Sequence, residues 1–186
     1  MKNLKTITLL LCSVITLQVN AQKQTFELKP GKLFWTGSAA FSAYDLTGSI
    51  LLEKGELEIR NDSITKLNVM VNMKSLEHEN STLKKHLRSK DFFEVNTFKK
   101  ALFQLRQPAV IRNNTATITG DLKVKGVIKP QTFTIALEAD FTMLSLDLKI
   151  NRTDYGITYN SPTYFEKLKN DAIADEFILK GKITLQ

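Results

Sequence analysis

The sequence predicts an all-β fold, an eight-stranded antiparallel barrel with one or two short helices. Between residues 24 and 185 lie nine strand-like segments, most of them apolar at every second position, with Lys, Glu, Asn, Thr and Asp between. Successive strand side chains point to opposite faces, so each segment has one dry side and one wet side. Pro30-Gly31, Asn61-Asp62 and Asn113-Asn114 mark tight turns between segments. One-sided strands in this number must close around an interior. Eight antiparallel strands enclose room for packed side chains or one small ligand. A two-sheet sandwich with a solid core is the alternative geometry.

Residues 24–29 form the first strand, stopped by Pro30-Gly31. Residues 32–41 form the second, with Leu33, Trp35, Gly37, Ala39 and Phe41 inward, and 44–48 reads as a turn. In 49–60 the apolar parity switches from even (Ile50, Leu52) to odd (Leu57, Ile59). Only an inserted residue keeps one face dry through such a switch, which places a bulge or turn at Lys54-Gly55. The next strand, 63–73, points Leu67, Val69, Val71 and Met73 inward. Alternation then stops. Residues 81–88 read as a helix, with Ser81 as N-cap and Leu83 and Leu87 one turn apart. Residues 91–95 form an apolar hinge holding Phe92 and Phe93. Strands resume over 101–106, with Phe103 and Leu105 inward, and over 115–125. Gly126 and Pro130 bracket the next hairpin. The last strands run 131–141 (Phe133, Ile135, Leu137, Ala139 and Phe141 inward), 144–152 and 176–185, and Ser161-Pro162 opens a second short helix over 162–169.

Lys2 and Lys5 precede an apolar stretch over 7–19, and Val19-Asn20-Ala21 resembles a cleavage site. Residues 1–21 read as a cleaved secretory leader, too short for a membrane span, and 22–186 as one periplasmic or secreted domain. Cys12, the only cysteine, lies inside the apolar run rather than after a small residue at its end, which argues against lipid attachment. The domain is therefore read without disulfide, thiol nucleophile or sulfur-ligated metal. The formal charge of +7 includes the two leader lysines. It serves solubility first and is compatible with an anionic ligand or membrane surface. No aromatic and basic platform points to nucleic acid. An outer-membrane barrel also alternates, but the polar parity here carries Lys123, Lys125, Glu138, Asp140, Asp147, Lys149, Lys180 and Lys182. An eight-stranded lumen has little room for so many charges.

His78 and His86 are the only histidines. No nucleophile-elbow pattern accompanies Ser75, Ser81 or Ser89, so no catalytic triad is read. Glu77, His78 and Glu79 alternate sides when extended, which does not make a metal site, and His86 shares the Leu83/Leu87 side of its helix. These residues point to a protein that is not an enzyme; a lipid hydrolase with His86 as base is the remote alternative. Lys84, Lys85, Arg88, Lys90, Lys99 and Lys100 surround Phe92 and Phe93. They read first as a solvated face and, more sharply, as a positive rim beside an aromatic-guarded opening. In the strand exit 151–157, Arg152 reads first as a local ion-pair partner of Asp154, with Gly156 supplying a positive φ. The alternative is Arg152 binding a phosphate or carboxylate at the barrel mouth. The small inward residues Gly37, Ala39, Ala116, Gly120, Ala139 and Gly181 either keep a channel open or relieve strain.

Together these segments resemble the YceI-like family of polyisoprenoid-binding proteins. The matching stretches are Phe41 with Gly48, residues 83–95 (LKKHLRSKDFFEV), 101–103 (ALF), 120–127 (GDLKVKGV) and 150–157 (INRTDYGI). Trp35-Thr36-Gly37 looks like the first barrel strand of Bacteroidetes-type members. Phe98 is followed by Lys99 where the family usually has proline. The resemblance implies a lipocalin-like barrel holding an isoprenoid, an isoprenoid quinone or a similar amphiphile, with no other cofactor. Trp35, Phe41, Leu67, Val69, Val71, Phe92, Phe93, Phe103, Phe133, Ile135 and Leu137 are the expected tail-contacting residues, and Arg88, Lys90 and Arg152 the expected head-group contacts. A tail of about fifteen carbons gains on the order of 10 kcal/mol gross, before association costs. Peripheral membrane contact and a homodimer are compatible with this reading. A ligand-free stress-response or interaction module of the same fold is its main competitor.

Overall fold

The computed structural model describes residues 22–165 and 171–186; the expected leader lies outside them. The strands are β1 (Lys23–Leu28), β2 (Gly31–Ala39), β3 (Asp45–Arg60), β4 (Ser63–Glu77), β5 (Lys100–Leu105), β6 (Ala109–Val110), β7 (Thr115–Val124), β8 (Val127–Leu137), β9 (Met143–Asn151) and β10 (Ile173–Thr184). One α-helix, α1 (Ser81–Arg88), follows β4, and a 3-10 turn, Arg152–Tyr155, follows β9. The sheet runs β3-β2-β10-β9-β8-β7-β5-β4, and a β3–β4 pairing closes it into an eight-stranded antiparallel barrel. The long β3 pairs with β2 along its first half and with β1 along its second. Leu28 of β1 also bridges to Leu185 beyond β10. Thus β1 and β2 are one barrel stave broken at Pro30, where a missing N–H ends the ladder.

Turn chemistry sets the registers. Asn61-Asp62, Asn113-Asn114 and Lys125-Gly126 all have positive φ, the geometry of two-residue hairpins whose twist matches the strands. The parity switch in β3 is a bulge: Leu52 pairs with Val71 and Lys54 with Met70, so Glu53 is the extra residue, one position before the expected site. Ile50, Leu52, Leu57 and Ile59 are consequently all buried. The outward parity carries the ion pairs Lys66–Glu56 (2.8 Å), Arg106–Asp121 (2.7 Å) and Lys180–Asp147 (2.8 Å). The wall is therefore wet outside and dry inside.

Several expected boundaries move. Residues 45–48 belong to β3, so the turn before it is shorter than predicted. β2 ends at Ala39, leaving Phe41 in the following loop, 66% exposed. β8 begins at Val127 and ends at Leu137, so Ala139 and Phe141 fall outside it. The N-cap of α1 is Asn80, whose side chain accepts from Thr82 N and Leu83 N. The two-residue β6 had no alternation to announce it. At the expected second helix, the amides of Tyr164 and Phe165 bond to Ser161 O, but residues 162–164 form only a turn, and 166–169 lie outside the described residues.

The inward glycines mostly do not hold a channel open. A β-carbon at Gly48 would lie 2.3 Å from Trp35 Cζ2 and 2.1 Å from Glu77 O. Leu33 lies over Gly181, Phe103 over Gly120 and Leu28 over Gly55 in the same way. Each glycine seats a bulky neighbour from the adjoining strand, the cross-strand cover that lets a large inward side chain lie flat on the wall. Gly37 differs, with no atom within 4 Å of the equivalent point.

Candidate functional site: an apolar cavity in chambers

The barrel interior holds two chambers in series. The upper, about 140 Å³, lies among Trp35, Gly37, Met73, Leu87, Phe92, Phe93 and Phe177. The lower, about 60 Å³, lies among Leu33, Leu67, Val69, Phe103, Phe133 and Ile135. Val71, Ala101, Leu122, Leu148 and Leu179 line both and form a waist between them. An outer chamber of about 220 Å³ sits above the upper one, bounded by the end of β2, Tyr44, Leu83 and Leu87 of α1, and residues 171–173. The opposite end is closed by buried Leu28, Leu137, Leu144 and Leu185. An apolar cavity of roughly 150 Å³ takes one benzene-sized molecule. A long chain must therefore thread the chambers in series and part the side chains of the waist.

The upper end is built by two polar devices. The first is a clasp on α1. Glu77 at the end of β4 receives Lys84 Nζ (3.0 Å) and Arg88 Nη2 (2.7 Å), and Arg88 Nε donates to Leu76 O (2.9 Å). The hydrogen bond from Lys84 leads in holding the Glu77 carboxyl below its ordinary range; the Lys84 and Arg88 charges add to it against desolvation. The clasp presents Leu87 to the cavity. Behind it, His86 lies edge-on to Phe92 (5.0 Å) and Tyr159 (4.5 Å), with Nε2 3.9 Å from Asp91.

The second device is Arg152, only 4% exposed. Its Nε donates to Ala174 O (3.0 Å), Nη1 to Ile157 O (2.9 Å) and Tyr159 O (2.8 Å), and Nη2 to Ile173 O (2.9 Å). It packs over the Phe92 ring at 5.9 Å. The acidic partner is Asp175 at 3.6 Å rather than the expected Asp154. Burial lowers the guanidinium pKa and Asp175 opposes that shift. Gly156 supplies the expected positive φ, 73°, at the end of the 3-10 turn. Arg152 thus knits β10 to the 157–159 loop.

The structure brings most of the expected tail residues together. Trp35, Val71, Phe92 and Phe93 line the upper chamber, and Leu67, Val69, Val71, Phe103, Phe133 and Ile135 the lower. Leu137 is buried below and lines neither, and Phe41 points away on its loop. The three expected head-group cations are placed otherwise. Arg88 serves the α1 clasp, Lys90 is exposed with its carbonyl receiving Lys125 Nζ (2.7 Å), and Arg152 lines the upper chamber with its donors occupied by backbone. Leu122, Leu148 and Leu179 of the waist were not singled out, although each lies on the dry parity of its strand. Among the described residues, no group of three or more His, Cys, Asp or Glu is arranged to hold a metal ion.

A closed eight-stranded barrel with a dry, chambered interior belongs to the lipocalin-like class of architecture. The family model for the YceI-like domain matches residues 17–185, so the chain belongs to the YceI-like family. A UPF0312 protein of Vibrio parahaemolyticus is 34% identical over 82 residues, 44% of this chain and 41% of that protein. A UPF0312 protein of Staphylococcus aureus is 28% identical over 114 residues, 56% of this chain and 64% of that one. The matched region thus spans from about two fifths to under two thirds of these relatives. Among solved structures, the chain is similar to a polyisoprenoid binding domain from Saccharophagus degradans implicated in plant cell wall breakdown. That match has a TM-score of 0.62 and 12% identity, covering 87% of this chain and 97% of that one. BcnA of Burkholderia cenocepacia superposes with a TM-score of 0.59 at 14% identity, covering 82% and 94%.

Proposed function

We propose that the protein is an exported, non-enzymatic carrier or sequestering protein that holds the tail of an isoprenoid or similar long-chain amphiphile in its barrel. The observation that carries this reading is the chambered, apolar interior, with one end closed by leucines. The only charged residues on the upper wall among those described are Arg152, bound to four carbonyls, and Glu176, paired with Lys149 at 3.1 Å. A tail therefore meets hydrocarbon, and a charged head finds no free partner inside. The ligand named for the Saccharophagus domain supports the isoprenoid choice. Export rests on the apolar leader over 1–21. Phe41, Tyr44, Tyr164 and Phe165 are exposed on loops at the open end, which supports loading at a membrane face, where aromatic side chains sit well.

Titration with the fluorescent apolar probe 1-N-phenylnaphthylamine tests this function. The wild type should bind saturably, and Ala101→Phe, which fills the waist, should weaken binding at least tenfold while the circular dichroism of the barrel is retained. A wild-type protein that leaves the probe fluorescence unchanged overturns the reading.

A further inference from the structure

The outer and upper chambers share five wall residues: Trp35, Gly37, Leu87, Phe92 and Ile173. These residues form the wall common to rim and barrel, and leucines close the far end. Four of the five present side chains, and Gly37 does not.

We propose that Gly37 is the port of the barrel, and that the side chain missing there sets the width of ligand that can enter. Gly37 lies inside β2, opposite Leu46 of β3 and Phe177 of β10. A glycine within a strand weakens it and marks a bulge, a close approach of backbone or a place where space is needed. Neither positive φ nor a close approach accounts for this one, and the irregular pairing beside it, between Ile173 and Phe177, puts the extra residues on β10 rather than on β2. Its φ is not in the left-handed region, and nothing lies within 4 Å of its would-be β-carbon. Gly48, Gly55, Gly120 and Gly181 are each filled by a neighbour, so Gly37 is the inward glycine whose space is left to the cavity. Trp35, beside Gly37 on the same face of β2, is positioned by packing alone. Its indole lies over Gly48 and stacks on His78 at 5.7 Å, and its Nε1 has no acceptor among the described residues. Swinging that ring aside breaks no hydrogen bond.

This proposal rests on the ligand-binding reading and is separated from it by kinetics. Stopped-flow mixing with 1-N-phenylnaphthylamine is to be run on the wild type, Gly37→Val and Gly37→Phe, each checked by thermal melting; valine suits a strand and is the variant surest to fold. A port predicts that association and dissociation slow together. Gly37→Val should slow both at least tenfold, and Gly37→Phe should slow both further. Wild-type rates in a folded Gly37→Val overturn the port and leave the carrier reading standing. Weaker binding through faster dissociation alone also overturns it, since that marks Gly37 as chamber wall only. A wild type that binds no probe overturns both.

Discussion

Arg152 shows how one side chain can fix the open end of a barrel. Its fork satisfies four carbonyls on two segments, a pattern that lysine's compact ammonium cannot reproduce. Arg152→Met leaves those carbonyls short of donors and should cost about 3–5 kcal/mol in urea denaturation, with Arg152→Lys recovering only part. The guanidinium stays charged across the working pH range, so above the acid range in which its partner Asp175 protonates this loss should not vary with pH. The glycines make a second contrast. Gly48→Ala should destabilise by about 1–3 kcal/mol, because its methyl meets Glu77 O and the Trp35 ring. Gly37→Ala, with open space at its β-carbon, should instead stabilise by about 0.5–1 kcal/mol in the same measurement. The sequence marks Gly37 as an inward position and reads Gly48 as part of a turn, and whether a neighbour fills the space depends on cross-strand register, which alternation does not encode. The same limit applies to Arg152: a basic residue two places from Asp154 is visible in the chain, whereas the carbonyls of residues 173 and 174 reach it only through the fold.

At the level of elements, periodicity was a reliable guide where both faces of a strand differ. The bulge in β3 was legible because burial of Ile50 and Leu52 together with Leu57 and Ile59 is incompatible with an unbroken ladder. It was less informative at strand ends. Phe41 and Phe141 continue an apolar alternation beyond the last ladder bond, and only pairing decides where a strand stops. Helix α1 was legible from Leu83 and Leu87, but its clasp was not, since Glu77 belongs to the preceding strand. That clasp has a pH signature. The folded-state pKa of Glu77 is depressed, so its contribution is fully present above the ordinary glutamate value of about 4.3 and is lost as pH falls through the folded-state value. Hydrogen-exchange protection of residues 81–88 should therefore drop below about pH 4.3 ahead of the barrel strands. In Glu77→Gln that protection should be low already at pH 7 and lose this acid step.

For the whole molecule, closure depends on one pairing. β3 bonds to β4 along most of its length and to β1 and β2 on its other edge, so it both opens and completes the circuit. The count of one-sided strands and the missing room for charge inside foretold a closed, dry barrel. They did not foretell that β1 and β2 share a stave, that leucines plug one end, or that a waist divides the interior, because volume follows from how side chains of different strands meet. The central claim is that this interior accommodates a long apolar tail. Native mass spectrometry of the protein purified from its own host, followed by organic extraction, tests it most directly. The account expects a mass above that of the bare chain, released on extraction as an isoprenoid or other long-chain lipid. A chain that flies only at its bare mass, and remains so after incubation with isoprenoid-containing vesicles, would contradict it.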